Sequence, residues 1–214
     1  MNISNKFKFM WNEFFGAPSK VYQTLEISKY LINEVQANID QYWYKKLIDI
    51  WTWSWSLAIS IALSNKDMKI LVTDNSIVAL QEAEKNIKNL WCTNIENVHT
   101  NYVDNVNKNF NPDIIIASLP YWNESYLTPW NTIDHLKIYP KWSYFHESWD
   151  PFWCYIEMLN SIVSKGWKTK ILIETGILTE PLISSYLSKI ENINWVYKIH
   201  DESWFSTTKI EILK

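Results

Sequence analysis

The sequence predicts an α/β protein built on a mainly parallel sheet of seven strands, with helices on both faces. Short apolar runs alternate along the chain with longer stretches of helical spacing, which is typical of proteins where helices cross between parallel strands. The last two apolar runs are separated by only a short turn, so we expect an antiparallel hairpin at the C-terminus. A chain of 214 residues is long enough for one such domain.

The predicted elements follow in order along the chain. A first helix covers residues 25–40, where Ile27, Leu31 and Val35 recur at helical spacing. Strands are then predicted at residues 46–50, 69–73, 95–99, 113–117, 168–174, 195–200 and 207–213. Helices are predicted between them, at residues 55–64, 76–90, 152–165 and 179–190. Residues 1–24 are aromatic and irregular, so we divide the chain into an N-terminal arm and helix, 1–40, and a sheet domain, 41–214.

Composition excludes several function classes. The net charge is -3, so the chain has no general attraction for nucleic acid. Cys92 and Cys154 lie far apart and match no metal-binding spacing, which predicts no metal site and fits a reducing compartment. The N-terminus lacks the apolar run of a signal peptide, and no stretch is long enough to span a bilayer. We therefore expect a cytoplasmic protein with no membrane partner.

Glycine and tryptophan occur in unusual numbers. The chain has 3 Gly and 14 Trp, whereas average usage predicts about 15 Gly in a chain of this length. All 20 basic residues are Lys, and Asn and Ile are abundant, which indicates an AT-rich source. We hypothesise that a codon meaning Gly in the source, such as UGA in some bacterial lineages, has been translated as Trp. The alternative is a protein that is truly rich in Trp.

Several tryptophans stand where glycine is favoured. Trp91 follows a helical pattern at a position that is often left-handed, and Trp167 lies in a turn before a strand. In the stretch LIDIWTWSWSLAISIAL, Trp51, Trp53 and Trp55 alternate between a short strand and a helix. With Gly at these places the segment becomes D-I-G-T-G-S-G-S, a tight turn whose backbone can approach a ligand closely.

Acidic residues follow the ends of several predicted strands, where open α/β sheets bind their ligands. Asp49 precedes the tryptophan loop and could orient its amides or face a cationic ligand, unless it is a solvated strand-end residue. Asp74 ends the second strand, where a carboxylate can accept from both hydroxyls of a ribose; a helix N-cap is the alternative. Asp104 lies in a polar turn after the third strand. Glu174 ends the fifth strand, where a functional carboxylate and an ordinary strand-end carboxylate explain the residue equally well.

With Gly restored, residues 46–214 resemble Rossmann-like class I methyltransferases, in particular the HemK/PrmC-type release-factor glutamine N5-methyltransferases. The tryptophan loop is similar to the family's cofactor loop, TDNSIVALQEAEKNIKNLWCTNIENV to its second strand and helix, and KGWKTKILIETG to its fifth strand. PDIIIASLPYW resembles its Asn-Pro-Pro-Tyr catalytic segment. The resemblance implies S-adenosylmethionine as cofactor, held by the loop and the strand-end acids: Asp49, Trp51, Trp53, Trp55, Asp74 and, at the adenine amino group, Asp104.

The same resemblance implies that catalysis involves Ser118, Pro120 and Tyr121. In the family, the first side chain and a nearby backbone carbonyl accept the N–H groups of the substrate, so that the nitrogen lone pair is held toward the methyl carbon. Tyr121 would pack its ring against the planar substrate group. The Ser118 hydroxyl can accept a hydrogen bond, although it reaches less far than the family's Asn. This chemistry needs neither a metal nor a covalent nucleophile.

The family's Arg-Pro-containing segment is replaced here by VYQTLEISKY, and we expect most of its N-terminal domain for gripping the release factor to be absent. We expect methylation of a glutamine side-chain amide in a peptide chain release factor, with nucleic acid met only indirectly through the ribosome. One alternative is methylation of an adenine or another base amino group in DNA or RNA. Another is a methyltransferase fold that binds no cofactor and acts as a binding module, which follows if the loop tryptophans are genuine.

Overall fold

The computed structural model describes residues 6–15, 28–51, 56–119, 152–176, 180–191, 193–200 and 205–212. In these ranges the strands are β1 (Lys6–Phe9), β2 (Asn12–Phe15), β3 (Lys46–Ile50), β4 (Lys69–Asp74), β5 (Ile95–His99), β6 (Ile114–Ala117), β7 (Lys170–Gly176), β8 (Ile193–His200) and β9 (Phe205–Ile212). The α-helices of the same ranges are α1 (Lys29–Tyr42), α2 (Ser56–Ser64), α3 (Ile77–Asn89), α4 (Trp153–Ser164) and α5 (Glu180–Leu187).

The main sheet has seven strands in the order β5-β4-β3-β6-β7-β9-β8. The five strands from β5 to β7 are parallel, and β9 runs antiparallel to both of its neighbours. This confirms the predicted mainly parallel sheet and its C-terminal hairpin. The bounds of β3 and β5 are those predicted, and the other strands differ by up to two residues at an end.

Helices cover both faces of the sheet, as predicted. Side chains of a strand alternate between the two faces, and in β3 Leu47 packs in one apolar cluster while Ile48 and Ile50 pack in the other. The first cluster contains the buried residues of α1, α2 and α3, and the second contains those of α4 and α5. The central strands are therefore buried on both sides, which explains their nearly continuous apolar sequences. No helix of the described ranges is both long and apolar enough to cross a membrane.

An N-terminal hairpin of β1 and β2 is present where the sequence analysis expected irregular chain. Phe9 and Phe14 are fully buried in the cluster that contains α1, α2 and α3. The side chain of Asn86 in α3 accepts from the Phe15 amide at 2.6 Å and donates to the Phe15 carbonyl at 3.0 Å. The prediction was wrong for residues 6–15 because this strand pair is stabilised by distant partners, which no local sequence pattern reveals.

Candidate functional site

The strand order reverses between β3 and β6. From β3 the chain proceeds to β4 and then β5 in one direction, and it returns to the other side of β3 to form β6. Open α/β sheets bind ligands beyond the carboxyl ends of the strands at such a point. Trp51 follows β3 and Ser118 follows β6, so two of the predicted site residues flank this point.

Trp51 adopts a left-handed backbone conformation, with φ 59°. Residues other than glycine rarely adopt this backbone conformation. Its amide donates to the Thr73 carbonyl at 2.8 Å, and its indole packs edge-on against Tyr102 with ring centroids 5.9 Å apart. Because Tyr102 follows β5, the indole extends from the end of β3 across the end of β4. It fills space along the carboxyl ends of these strands. Trp53 and Trp55 lie outside the described residues.

Asp74 is buried at the carboxyl end of β4, with 2% of its surface exposed. Its Oδ1 accepts from the Ser76 amide at 2.8 Å. The N-cap of α3 is Ser76, whose hydroxyl accepts from the Ala79 amide at 3.3 Å. Ser76 rather than Asp74 is therefore the N-cap of α3, and the Asp74 carboxylate lies at the carboxyl ends of the parallel strands.

Asp49 is fully buried near the end of β3. It pairs in register with Val72 of β4 and Ile116 of β6, and it faces the side of the sheet opposite to Ile48 and Ile50. A solvated strand-end carboxylate would be exposed, so the structure excludes that interpretation. A buried carboxylate is costly unless it serves hydrogen-bond donors, and the role of Asp49 toward a cofactor stays a prediction.

Asp104 lies in an exposed turn after β5 and faces α4. Its Oδ1 accepts from the Ser161 hydroxyl at 2.6 Å, and its carbonyl accepts from Lys165 Nζ at 2.7 Å. The turn instead directs Asn101 toward the end of β4, where Asn101 Oδ1 accepts from Asn75 Nδ2 at 3.2 Å. The adenine contact of Asp104 stays a prediction, and Asn101 is a polar residue of this edge that the sequence analysis missed.

Ser118 lies directly beside Glu174. The Ser118 hydroxyl donates to the Glu174 carboxylate, and the hydroxyl of Ser28, which precedes α1, donates to Glu174 Oε2 at 2.9 Å. Burial raises the pKa of Glu174 to about 7, although the two hydroxyl hydrogen bonds act in the opposite direction. A carboxyl group that titrates near neutral pH therefore stands next to the predicted catalytic segment. Pro120 and Tyr121 lie outside the described residues.

Tyr155 of α4 holds the carboxyl ends of β6 and β7 together. Its fully buried phenol donates to the Glu174 carbonyl at 2.5 Å and to the Leu119 carbonyl at 3.3 Å. Its ring stacks on Phe152 with centroids 5.0 Å apart. Neither Tyr155 nor Ser28 could be identified from the sequence, because each contacts Glu174 only through the tertiary fold.

Among the described residues, no group of three or more His, Cys, Asp or Glu side chains is arranged to hold a metal ion.

No family model matches the chain, and no curated protein does. Several solved structures match the chain. The catalytic domain of hMettl16 in complex with the MAT2A 3'UTR hairpin 6 has a TM-score of 0.66 at 11% identity over 92% of this chain and 73% of that one. The ribosomal protein L11 methylase of Lactobacillus delbrueckii subsp. bulgaricus has a TM-score of 0.54 at 16% identity over 91% and 82%. The methyltransferase domain of bacterial CtHen1 has a TM-score of 0.57 at 14% identity over 87% and 99%. The chain therefore has the Rossmann-like fold of class I methyltransferases.

Proposed function

We propose that the chain is an S-adenosylmethionine-dependent N-methyltransferase whose acceptor is a glutamine side-chain amide in a peptide chain release factor. One arrangement carries the proposal. The left-handed residue after β3, the buried Asp74 at the end of β4 and Ser118 after β6 lie along one edge of a sheet that has the fold of class I methyltransferases. Each of these residues was assigned to cofactor or substrate from the sequence.

The residues at this edge fit the proposed cofactor. Asp74 offers two carboxylate oxygens to a vicinal diol, of which one also accepts from the Ser76 amide. The backbone at position 51 has the left-handed conformation of a glycine turn, which would permit close approach by the methionine part with Gly in place of Trp51, and Asp49 is buried two residues earlier. Asp104 would accept from the adenine amino group through Oδ2, because its Oδ1 accepts from the Ser161 hydroxyl. The cofactor supplies a methyl group already activated on a sulfonium, so these residues need only bind and orient it.

The acceptor nitrogen of an amide is a poor nucleophile because its lone pair is delocalised. Hydrogen-bond acceptors on its N–H groups would turn that lone pair toward the methyl carbon. Ser118 would be one acceptor, and a carbonyl near Pro120 would be the other. Tyr121 would pack its ring on the planar amide. Positioning of this kind is the main catalytic contribution that the chain has to make.

We also propose that Trp51, with Trp43 and Trp91, stands where the source organism specifies Gly. The described ranges contain six non-glycine residues with positive φ, and three of them are these tryptophans, with φ 57°, 59° and 54° at positions 43, 51 and 91. Trp43 and Trp91 follow the ends of α1 and α3, where left-handed glycines commonly end helices, and their indoles are 80% and 84% exposed. The observation supports recoding, that is, translation of a Gly codon as Trp, at those three positions.

Trp167 differs from that group, and the expectation that it occupies a glycine place is not supported. The indole is 2% exposed in the core, and Nε1 donates to the Lys108 carbonyl at 2.6 Å. The left-handed position of this turn belongs to the preceding Gly166, with φ 66°. Recoding therefore need not apply to every tryptophan of the chain.

A second candidate acceptor is a base amino group in RNA. The observation in its favour is the likeness to the hMettl16 catalytic domain, which was crystallised with an RNA hairpin. Against it, the chain has a net charge of -3 and no Arg, whereas phosphate contacts dominate the affinity of proteins for nucleic acid.

The test compares the protein as written with a version carrying Gly at positions 51, 53 and 55. We expect calorimetry to detect S-adenosylmethionine binding to the Gly version only, because the Trp51 indole fills part of the edge. In the Gly version, Asp74→Asn should weaken binding while Asp67→Asn, an exposed turn residue, should not.

Transfer of a labelled methyl group is then measured with release factor and with structured RNA as acceptors. Methylation of the release factor at a glutamine supports the proposal, and methylation of RNA alone replaces it with the second candidate. Failure of a folded, fully recoded protein to bind the cofactor would contradict both and leave a binding module.

A further inference from the structure

Glu174 is a buried carboxyl group surrounded by hydroxyls. It is 6% exposed, although glutamate is rarely buried without a cationic partner. Among the described residues, the side chains that bond to it are Ser28 before α1 and Ser118 after β6, while Tyr155 of α4 bonds to its carbonyl. Its register partner on β9 is Thr207. All four neighbours carry hydroxyl groups and none carries a formal charge, so nothing in this set neutralises the carboxylate.

The direction of the hydrogen bond at Ser118 matters. Its hydroxyl has one proton, which it donates to Glu174. The oxygen of Ser118 can therefore accept a hydrogen from a substrate N–H while it keeps its bond to the carboxylate. An asparagine in this position, as in the family that the segment resembles, could accept the same N–H but could not pass a proton on. The serine at position 118 and the carboxyl group behind it form a connected pair.

Methylation of a nitrogen that bears hydrogen releases a proton. As the nitrogen forms its bond to the methyl carbon, the carbon–sulfur bond breaks and its electrons remain on sulfur. The nitrogen becomes positively charged and must lose one of its hydrogens. A site closed to water needs an acceptor for that proton within hydrogen-bond reach of the nitrogen or of a group that contacts it.

We infer that Glu174 is the final proton acceptor, acting through Ser118. The proton of the acceptor nitrogen passes to Ser118 Oγ, and the hydroxyl proton of Ser118 passes to the Glu174 carboxylate, so that Ser118 ends neutral and Glu174 ends protonated. Ser28 keeps its hydrogen bond to Oε2 and orients the carboxylate. Glu174 is thus a positioning residue that does not itself contact the substrate. The inference rests on the proposed methyl transfer to nitrogen.

The proton affinity of Glu174 suits this task. Burial raises the pKa of its carboxyl to about 7, and a proton acceptor is most effective when its pKa lies near the working pH. An exposed glutamate would be a much weaker base. The two donated hydroxyl hydrogen bonds keep a deprotonated fraction available near neutral pH.

The experiment uses the version of the full chain that binds S-adenosylmethionine and compares Glu174→Gln, Ser118→Ala, Ser118→Asn and the double variant Ser118→Asn with Glu174→Gln. The matched control is Glu84→Gln on the exposed side of α3, where Glu84 pairs with Lys88. Cofactor affinity by calorimetry and thermal unfolding report whether each variant is folded. The quantities measured are kcat, KM and the pH dependence of kcat.

We expect Glu174→Gln to lower kcat by about 100-fold or more, the usual range for loss of general base catalysis, with cofactor affinity unchanged. In the version that binds cofactor, with Glu174 intact, kcat should rise with pH, be half-maximal near pH 7 and level off above it, because Glu174 must be deprotonated, and this inflection should vanish in Glu174→Gln. In the Ser118→Asn background, where no relay exists, adding Glu174→Gln should change kcat by less than about threefold.

A folded Glu174→Gln variant with nearly normal kcat and the same pH inflection would overturn the relay while leaving the proposed methyltransferase in place. Equal losses from Glu174→Gln in the presence of Ser118 and in the Ser118→Asn background would also overturn it, because Glu174 would then act independently of Ser118. If a folded, fully recoded protein with Ser118 and Glu174 intact binds no cofactor and transfers no methyl group, the proposed function itself fails, and the relay fails with it.

Discussion

The hydroxyl of Ser28 donates to Glu174 Oε2 at 2.9 Å across 146 residues of sequence. The bond joins the start of α1 to the carboxyl end of β7. Ser28 and Glu174 are hydrogen-bonded although they lie on opposite sides of the domain boundary predicted after residue 40. The helix before β3 contributes directly to the surroundings of the candidate catalytic segment.

The burial of Glu174 makes folding stability depend on pH. Because the pKa of Glu174 rises from 4.5 in the unfolded chain to about 7 in the folded one, folding takes up a proton between these values. The free energy of unfolding should therefore fall as pH rises from 4.5 to 7 and level off above. The full effect of this group is on the order of 3 kcal/mol.

Urea denaturation of the unsubstituted protein and of Glu174→Gln between pH 4.5 and 8 checks this expectation. The difference in unfolding free energy between the two should shift in favour of the Gln variant as pH rises. Glu84→Gln on α3 serves as the exposed control. A difference that stays constant across this range would contradict the raised pKa.

Trp43→Gly and Trp91→Gly should each stabilise the protein. Both residues have positive φ and exposed indoles, and a left-handed conformation costs a non-glycine residue about 1 kcal/mol or more. The greater freedom of glycine in the unfolded chain offsets part of the gain. We expect a net increase of about 0.5 kcal/mol for each, measured by thermal or urea unfolding.

Trp11→Gly is the matched control for these two variants. Trp11 is 96% exposed in the turn between β1 and β2, but it lacks a positive φ. It should give no stabilisation. Equal gains at all three positions would indicate that removal of an exposed indole, rather than relief of backbone strain, is the cause.

Trp167→Ala should be strongly destabilising. The indole is buried among the residues that pack against α4 and α5, and it donates to the Lys108 carbonyl. Loss of a buried Trp commonly costs about 3–5 kcal/mol. Trp167→Phe, which removes the hydrogen bond and part of the volume, should cost less. If Trp167→Ala left the stability unchanged, position 167 would tolerate glycine, as we propose for positions 43, 51 and 91.

Tyr155→Phe should destabilise the protein by about 1–3 kcal/mol, because the Glu174 carbonyl would lose a buried donor. The stacking of the ring on Phe152 should survive, since it does not involve the hydroxyl. In the version that binds cofactor, we also expect a lower kcat, because the phenol bonds both strand ends beside Ser118. A variant that loses stability but keeps its kcat would limit Tyr155 to a structural role.

The sheet could be predicted because its strands carry strong local signals. KLIDI and DIIIA are short apolar runs between helical stretches, and the alternation of strands with helices determines a parallel sheet. The hairpin of β1 and β2 could not, since Asn86 and the buried contacts of Phe9 and Phe14 come from elsewhere in the chain. Its turn at Met10, with φ 51°, also carries none of the residues that usually mark such turns.

Some candidate site residues could be predicted from the sequence, because each stands alone near the end of a predicted strand. Asp49 and Asp74 were identified in this way. The burial of Asp49 excludes a solvated strand-end carboxylate, and Ser76 rather than Asp74 is the N-cap of α3. Glu174 was noticed, but its importance depends on Ser28 and Ser118, which reach it from distant segments. Long-range hydrogen bonds of this kind have no signature in a single sequence.

The position of β9 between β7 and β8 has a consequence for biosynthesis. Of the seven strands, the one translated last fills an interior place in the sheet. Until it leaves the ribosome, β7 presents an open hydrogen-bonding edge flanked by apolar side chains, and β8 has no strand to join. A chain in which β7 has emerged before β9 would therefore be prone to pair with other exposed strands, so a chaperone matters most before β9 joins the sheet.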